Sequence, residues 1–247
     1  DATVANNYVR AIQQLNGTLR DAGGALIPNE ALAGTNPDDS YNVDVINFEL
    51  TGEPFDILDG DGNFLYGAIP ELFPGIPGSG GHTEKFAVEV VGFLDLPAGT
   101  TTFGVNVGAD RTDVIDDDSY QVYVGANPRD FFNAKVGEFQ RSPLTPPFVA
   151  NSHNENVWTV DAPQAGIYPF RLVYWQTGRG ANLLWYTMIT ATDERVLVND
   201  SVDSRAIKAY RKSSVAAANS PYVAEVSPLP GSAGNSASAP IGAVLFD

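Results

Sequence analysis

Apolar residues alternate with polar ones at every second position through much of the chain after residue 43. This period of two is seen in the runs 46–50, 103–107, 120–124, 168–174 and 183–189. Successive side chains of an extended strand point to opposite faces, so each run is predicted to be a β-strand with two distinct faces. The run from Phe86 to Leu94 is more continuously apolar, which is typical of a strand covered on both sides.

Turn-forming residues separate these strands, and no long helical pattern lies between them. The turns are at 97–99, 125–128, 165–166 and 178–180. The chain also contains 24 Gly and 17 Pro, which suits many short strands joined by loops. We therefore predict an all-β fold, an antiparallel β-sandwich with long loops.

A short helix is predicted at the N-terminus. Tyr8, Ile12, Leu15 and Leu19 recur at helical spacing and fall on one face, and the helix is expected to end at Ala22-Gly23-Gly24. A polar, turn-rich loop follows. The predicted organisation therefore begins with a helix and loop over 1–42, followed by the sandwich domain over 43–192.

The character of the chain changes after residue 192. A short helix is predicted from Ser204 to Lys212, a stretch that carries four basic residues, and a Ser/Ala-rich linker completes the segment 193–220. Two further strands are predicted within a C-terminal extension, 221–247. Two strands cannot bury a core by themselves. They are expected to pack on the sandwich, to begin a further domain, or to complete the sheet of another subunit.

Composition excludes several classes of protein. The chain has 247 residues, with 30 acidic against 14 basic side chains, a formal charge of −16 that disfavours nucleic acid as a partner. The absence of cysteine excludes a disulfide scaffold and thiolate metal sites. No apolar run approaches the roughly 18 residues of a membrane span, so no membrane insertion is expected. No signal segment precedes Asp1, so the chain is expected to be either cytosolic or already processed.

Acidic side chains cluster just before the strand that begins at Ser119. Five carboxylates fall within nine residues, at Asp110, Asp113, Asp116, Asp117 and Asp118. Clustered carboxylates repel one another unless they are solvated, protonated or neutralised by a cation. Hard oxygen ligands in a loop suit Ca²⁺. The cluster is therefore either a calcium site or a solvated acidic loop.

A second acidic stretch contains Asp56, Asp59, Asp61 and Asn63. The spacing of its oxygen side chains resembles the first half of a helix-loop-helix calcium loop, but the sixth and twelfth positions do not fit. A tight Asp/Gly turn is the preferred interpretation, and a second calcium of different construction is the alternative.

No catalytic motif stands out, so the chain is predicted not to be an enzyme. His82 and His153 lie far apart in the sequence without the carboxylate spacing of zinc enzymes, and no pair of carboxylates is singled out for glycoside hydrolysis. Trp175 immediately precedes a turn, where its ring would either pack in the core or stack on a sugar.

Residues 86 to 190 carry an ordered set of motifs that resembles a known domain. The set comprises Leu96-Pro97-Ala98-Gly99-Thr100, Thr102-Phe103-Gly104-Val105-Asn106, Asp116-Asp117-Asp118-Ser119-Tyr120-Gln121-Val122, Ala165-Gly166-Ile167-Tyr168-Pro169-Phe170-Arg171-Leu172 and Gly178-Arg179-Gly180-Ala181-Asn182-Leu183-Leu184-Trp185. It looks like the protective-antigen-type β-sandwich, the lectin-like domain also found in fungal flocculins and GLEYA adhesins. The sequences of these motifs are similar to those of versions found in very large secreted bacterial proteins. The match covers about residues 44 to 192.

The resemblance implies a calcium site that also binds sugar. In that family an Asp-Asp pair joined by a cis peptide coordinates Ca²⁺, which then takes two sugar hydroxyls. The matching pair here is Asp117-Asp118, with Asp116-Asp117 as the alternative register. By the same analogy Asn182 supplies another oxygen. Asp110 and Asp113 lie in an insertion that either adds ligands or covers the sugar site, and Trp175 and Arg179 are the further candidates for ligand contact.

The C-terminal residues resemble the opening of a bacterial immunoglobulin-like repeat. The likeness is carried by Tyr222 to Pro228, by 230–234 and by 239–241. Together the two resemblances imply a secreted, extracellular or cell-surface module that binds Ca²⁺ and a glycan. The alternative is a structural or adhesive subunit that joins neighbouring domains or identical subunits into a cell-surface polymer without binding sugar.

Overall fold

The computed structural model describes residues 5–50, 71–107, 118–125, 134–140, 154–178, 180–211, 222–227 and 242–246. One helix and twelve strands lie within these residues. The elements are α1 (Tyr8–Leu15), β1 (Asn47–Glu49), β2 (Ala87–Leu96), β3 (Gly99–Val107), β4 (Ser119–Val124), β5 (Lys135–Phe139), β6 (Asn154–Ala162), β7 (Gly166–Trp175), β8 (Asn182–Ile189), β9 (Glu194–Leu197), β10 (Ala209–Tyr210), β11 (Tyr222–Ser227) and β12 (Gly242–Phe246).

Two five-stranded antiparallel sheets form the body of the molecule, which confirms the predicted all-β sandwich. Sheet I has the order β1-β8-β3-β6, with β9 also paired to β8, and sheet II has the order β10-β2-β7-β4-β5. The central strands are long and regular. β2 and β7, for example, pair without interruption from Ala87 opposite Trp175 to Leu96 opposite Gly166.

Alternate side chains from both sheets meet in an aromatic core. Phe103 of β3 stacks on Trp158 at 5.1 Å between ring centroids, and Phe170 of β7 meets the Trp185 ring edge-on at 4.8 Å. Phe103 and Trp185 are fully buried. Burying one such side chain contributes roughly 1.5–3 kcal/mol, so the inward-facing residues of the period-two pattern stabilise the sandwich.

Helix α1 is shorter than predicted. It begins after Asn7, whose side chain caps the first turn, and it ends at the C-cap residue Asn16. Gly17 follows with φ of +65°, a left-handed conformation that turns the chain out of the helix. The prediction that Leu19 belongs to the helix is therefore wrong, because Gly17 ends the helix before Ala22-Gly23-Gly24 is reached.

The segment after residue 192 also differs from its prediction. The predicted helix from Ser204 to Lys212 is wrong over the part that the structure describes, where 204–208 are turns and loop and Ala209 and Tyr210 form β10. β9 pairs with β8 and β10 pairs with β2, so this segment adds a strand to each sheet. The two predicted C-terminal strands are confirmed as β11 and β12, which pair antiparallel with each other.

Among the described residues, no helix has both the length and the apolar character needed to cross a membrane.

Candidate functional site

Four strand termini meet at one end of the sandwich. Asp118 directly precedes β4, whose first residue, Ser119, pairs with Trp175 at the end of β7. In the other sheet, β8 begins at Asn182, and Leu183 pairs with Val107 at the end of β3. The chain thus leaves or enters four strands here, and the segments between them carry most of the candidate residues.

Asp118 and Asn182 are brought into direct contact, although they are 64 residues apart in sequence. The backbone N–H of Asn182 donates to Oδ2 of Asp118 at 3.1 Å. Asp118 has a relative exposure of 0%. A carboxylate removed from water is stabilised by donated hydrogen bonds or by a cation, and this N–H is one such donor.

The Asn182 side chain is also buried, and its contact is with β3. Its Nδ2 donates to Oδ1 of Asn106 on β3 at 3.3 Å. Its own Oδ1 is buried and receives no hydrogen bond from any part of the chain that the structure describes. An unmet acceptor in the interior costs about 1–3 kcal/mol, so this oxygen is suited to a ligand that accepts its lone pairs.

These residue types fit a calcium ion. Ca²⁺ takes six to eight oxygen ligands from carboxylates, amide carbonyls and water. Asp118 supplies a carboxylate and Asn182 an amide oxygen at the same end of the sandwich. Among the described residues, no group of three or more His, Cys, Asp or Glu is placed so that it could hold a metal ion. The other predicted ligands, Asp110, Asp113, Asp116 and Asp117, lie outside the described residues, as does the second acidic stretch from Asp56 to Asn63.

Of the two other ligand-contact candidates, only Trp175 lies within the described residues. Its side chain is fully buried beneath α1, where the ring meets Tyr8 at 5.8 Å between centroids. Packing is therefore the role seen, and stacking on a sugar would require the helix to move away. Arg179 lies outside the described residues.

Gln176, which was not predicted from the sequence, anchors the loop leading from β7 to Asn182. It is completely buried. Its side-chain Nε2 donates to the backbone carbonyl of Thr83 at 2.8 Å. Its backbone carbonyl accepts from Nη2 of Arg10 at 2.9 Å. Arg10 is 3% exposed and also bonds within the N-terminal segment. Helix α1 and this loop are thus held together, and the only sequence signal was a polar residue directly after a strand.

A second polar cluster lies on the outer face of sheet I and joins three strands. Glu155 of β6 accepts two hydrogen bonds from Arg195 of β9, at 2.6 and 2.9 Å, and one from the Tyr186 hydroxyl of β8. The Tyr186 ring crosses Gly104 of β3, where an added Cβ would lie 2.3 Å from the ring. Gly104 therefore allows a side chain of β8 to reach β6 across the intervening strand.

This cluster shifts the pKa values of its members. Burial raises the pKa of Glu155, but the hydrogen bonds from Arg195 and Tyr186 and the charge of Arg195 outweigh it, so the net pKa lies below its ordinary value of 4.5. Burial raises the pKa of Tyr186, and the carboxylate of Glu155 raises it further. Glu155 is therefore ionised and Tyr186 neutral near pH 7, and the cluster holds strands together.

The basic residues near position 208 pair with local acidic groups. Arg205 forms ion pairs with Asp203 at 2.7 Å and Glu194 at 2.6 Å, and Arg211 pairs with Asp44 at 3.2 Å. The hydrogen bonds from Arg205 lower the pKa of Asp203 to about 2. These cations are therefore partly neutralised within the chain.

Of the two histidines, His82 is described and His153 is not. His82 is an exposed residue whose Nδ1 lies 2.8 Å from Oε2 of Glu30. The pair lies on the surface and shows no third group that would orient it for catalysis among the contacts described.

No protein-family model matches this sequence, and no curated protein matches it. The fold and the contacts of the site are therefore the features that bear on its function.

Proposed function

We propose that this chain is a calcium-binding, carbohydrate-binding module of a secreted protein that acts outside the cell or at its surface. The observation that carries the proposal is the buried contact between Asp118 and Asn182. These are the two residues within the described chain that the resemblance assigns to the calcium site. Both supply oxygen side chains at one end of an antiparallel sandwich.

In this proposal the protein residues hold the metal and the metal recognises the sugar. Asp118 contributes the charged ligand, and the amide oxygen of Asn182 contributes a neutral one. Asp117, Asp116, Asp113 and Asp110 are proposed as the remaining acidic ligands. When bound, Ca²⁺ supplies coordination positions that sugar hydroxyls fill, and this mode of recognition requires no catalytic group from the chain.

Extracellular conditions suit such a site. Extracellular calcium modules typically bind with dissociation constants of about 10⁻⁴–10⁻³ M.

The chain has no cysteine, so disulfides do not stabilise it. Bound calcium would instead link β4 and β8, which belong to different sheets, and we propose that this linkage stabilises the sandwich.

Substitution of Asp118 tests the calcium site. Asp118→Asn preserves the shape of the side chain but removes its charge, so the rise of Tm on adding calcium should be lost. In the unchanged protein, calcium at 100 times its Kd should add about 2.7 kcal/mol to the free energy of unfolding. Differential scanning calorimetry with calcium or a chelator measures both.

Asp39→Asn is the matched control. It removes one charge from an exposed turn, at a left-handed position that Asn tolerates. The control should keep the full calcium response. An equal calcium response in the Asp118→Asn protein would contradict the assignment of Asp118 as a ligand.

A glycan array tests the second half of the proposal. The unchanged protein is expected to bind a subset of glycans in calcium and none in chelator. Binding that persists in chelator would contradict sugar recognition through the metal, and an array without any binding in calcium would contradict the lectin function.

The alternative function is a structural or adhesive subunit that self-assembles. One observation favours it: β11 and β12 form a two-stranded antiparallel sheet of their own. Such a sheet is marginally stable in water by itself, and its edges present backbone groups to which another strand can pair. Self-association in solution distinguishes this function from the first.

A further inference from the structure

We infer that Asn106 is the positioning residue of the proposed calcium site, and that its side-chain carbonyl fixes which end of the Asn182 amide faces the metal. The inference rests on the proposed function. It assigns to Asn106 a role in metal affinity that does not involve contact with the metal.

The need for a positioning residue follows from the chemistry of the amide. The oxygen and nitrogen ends of an asparagine side chain have nearly the same size, and rotation by 180° exchanges them. Only the oxygen end is a calcium ligand. If the amide turned over, it would present two N–H donors to the cation, which is repulsive.

Asn106 selects one of these two orientations. Its Oδ1 accepts from Nδ2 of Asn182 at 3.3 Å. With the Asn106 carbonyl turned toward Asn182, as it is here, the opposite orientation of Asn182 would bring two carbonyl oxygens face to face in the interior, where the effective dielectric constant is low. Asn106 is 1% exposed and Asn182 is 3% exposed, so water has little access to either group.

The backbone around Asn182 is fixed as well. Its N–H is bonded to Asp118, and the residue pairs with Glu49 of β1. Two residues further along β8, Leu184 pairs directly with Asn106 of β3. Since the strands hold both backbones, turning over the Asn182 amide is the main freedom left to this ligand, and Asn106 restricts it.

The result is an oxygen directed away from Asn106. Oδ1 of Asn182 is buried and receives no donor from the described ranges of the chain. A residue that orients a metal ligand typically affects metal affinity by 10- to 100-fold when it is replaced. We therefore expect Asn106 to control how tightly calcium binds.

Two variants of Asn106 separate the acceptor from the bulk of the side chain. Asn106→Leu removes the acceptor at similar size and should raise the Kd for Ca²⁺ by about 10- to 100-fold in isothermal titration calorimetry. Asn106→Asp keeps an acceptor oxygen and should bind at least as tightly as the unchanged protein. If Asn106→Leu fails to fold by circular dichroism, Asn106→Ser, which is too short to reach Asn182, replaces it.

Terbium luminescence provides a measurement that a change in the stability of the fold would not alter. The luminescence lifetime of bound Tb³⁺ in H₂O and D₂O reports how many water molecules the metal carries. If Asn182 turns away, water should replace it, so Asn106→Leu should add about one bound water and Asn106→Asp should add none. In an Asn182→Asp background, which presents oxygen at either end, the Leu substitution should no longer change the count.

The outcomes distinguish this inference from the proposed function. If the unchanged protein binds neither Ca²⁺ nor Tb³⁺, the proposed calcium function is overturned and this inference with it. If it binds both, and Asn106→Leu or Asn106→Ser leaves the Kd and the water count unchanged, the positioning role alone is overturned.

Discussion

At the scale of single residues, Glu155 is a charged group that ties three strands together. It joins strands that are not neighbours, because β3 lies between β6 and β8 and only Gly104 leaves room for the Tyr186 ring to cross it. Arg195 contributes two parallel hydrogen bonds with its side chain only 7% exposed. Such a bidentate, partly buried pair is worth more than an ordinary surface ion pair.

The lowered pKa of Glu155 predicts a loss of stability in acid. A carboxyl group whose pKa is lower in the folded state stabilises the fold fully at pH values above its unfolded pKa, which is about 4.5 here. That stabilisation is lost as the pH falls through the pKa of the folded state. Glu155→Gln should lower the free energy of unfolding by about 1–3 kcal/mol at pH 7. The loss should shrink progressively below pH 4.5, as urea denaturation at several pH values would measure.

Glu138→Gln is the control for this prediction. Glu138 forms an exposed ion pair with Lys135, and removing such a pair costs less than about 1 kcal/mol. Equal losses for the two variants at pH 7, or a Glu155→Gln loss that is independent of pH, would contradict the role assigned to the buried pair.

At the scale of elements, helix α1 depends on the sheet beneath it. Eight residues are too few for a stable helix in water. Ala11 is completely buried against Val173 and Trp175, with Tyr8, Ile12 and Leu15 around it. Arg10 and Gln14 add hydrogen bonds to the carbonyls of Gln176 and Lys85. The helix therefore covers the outer face of sheet II and secures the loop that leads to Asn182.

The N-cap of α1 predicts a measurable element-scale effect. The Asn7 side chain accepts from the Arg10 N–H at 2.9 Å. Asn7→Ala should lower the free energy of unfolding by about 0.5–2 kcal/mol, whereas Asn7→Asp keeps the acceptor and should change it little. Chemical denaturation measures both. Equal losses in the two variants would show that the cap does not act through this hydrogen bond.

At the scale of the whole molecule, charge and the C-terminal sheet act in opposite directions. A formal charge of −16 favours separate, soluble chains through mutual repulsion. The two-stranded sheet β11–β12 carries backbone edges that favour pairing. Bound calcium would reduce the net negative charge, so for the self-assembling subunit it should favour association.

Light scattering decides between the two functions at this scale. For the lectin-like module we expect one mass, that of the 26.3 kDa chain, at all concentrations with or without calcium. For the self-assembling subunit the mass should rise with concentration, and Val244→Pro should reduce the rise because proline removes a backbone donor from β12. A rise that the proline variant leaves unchanged would place the association elsewhere.

Most of the fold could be predicted, because its signal is local. The alternating runs became β1, β3, β4, β7 and β8, and the fold class followed from them. β5 and β6 were missed since Lys135–Phe139 is short and contains Gly137, and Asn154–Ala162 begins with polar residues. The predicted helix from Ser204 failed for a related reason, because pairing of Ala209 and Tyr210 with β2 outweighed a weak helical pattern.

Less of the site could be predicted. The resemblance singled out Asp118 and Asn182, and the structure places them in contact. Asn106 was missed because, within a strand, a buried asparagine has the same sequence signal as an exposed one. Gln176 and Glu155 were missed because their roles depend on residues far away in the chain. The partner of Gln176 is 93 residues away, and the partner of Glu155 is 40 residues away.

By itself the sequence determined that this chain forms strands, which face of most strands is apolar, and where its acidic residues concentrate. These properties depend on neighbours one or two positions away, so a linear pattern contains them. Only the tertiary structure decided that β3 lies between β8 and β6, and that Asn106, Asp118 and Asn182 share one end of the sandwich. Strand order depends on the packing of side chains far apart in the chain, and periodicity does not encode that packing.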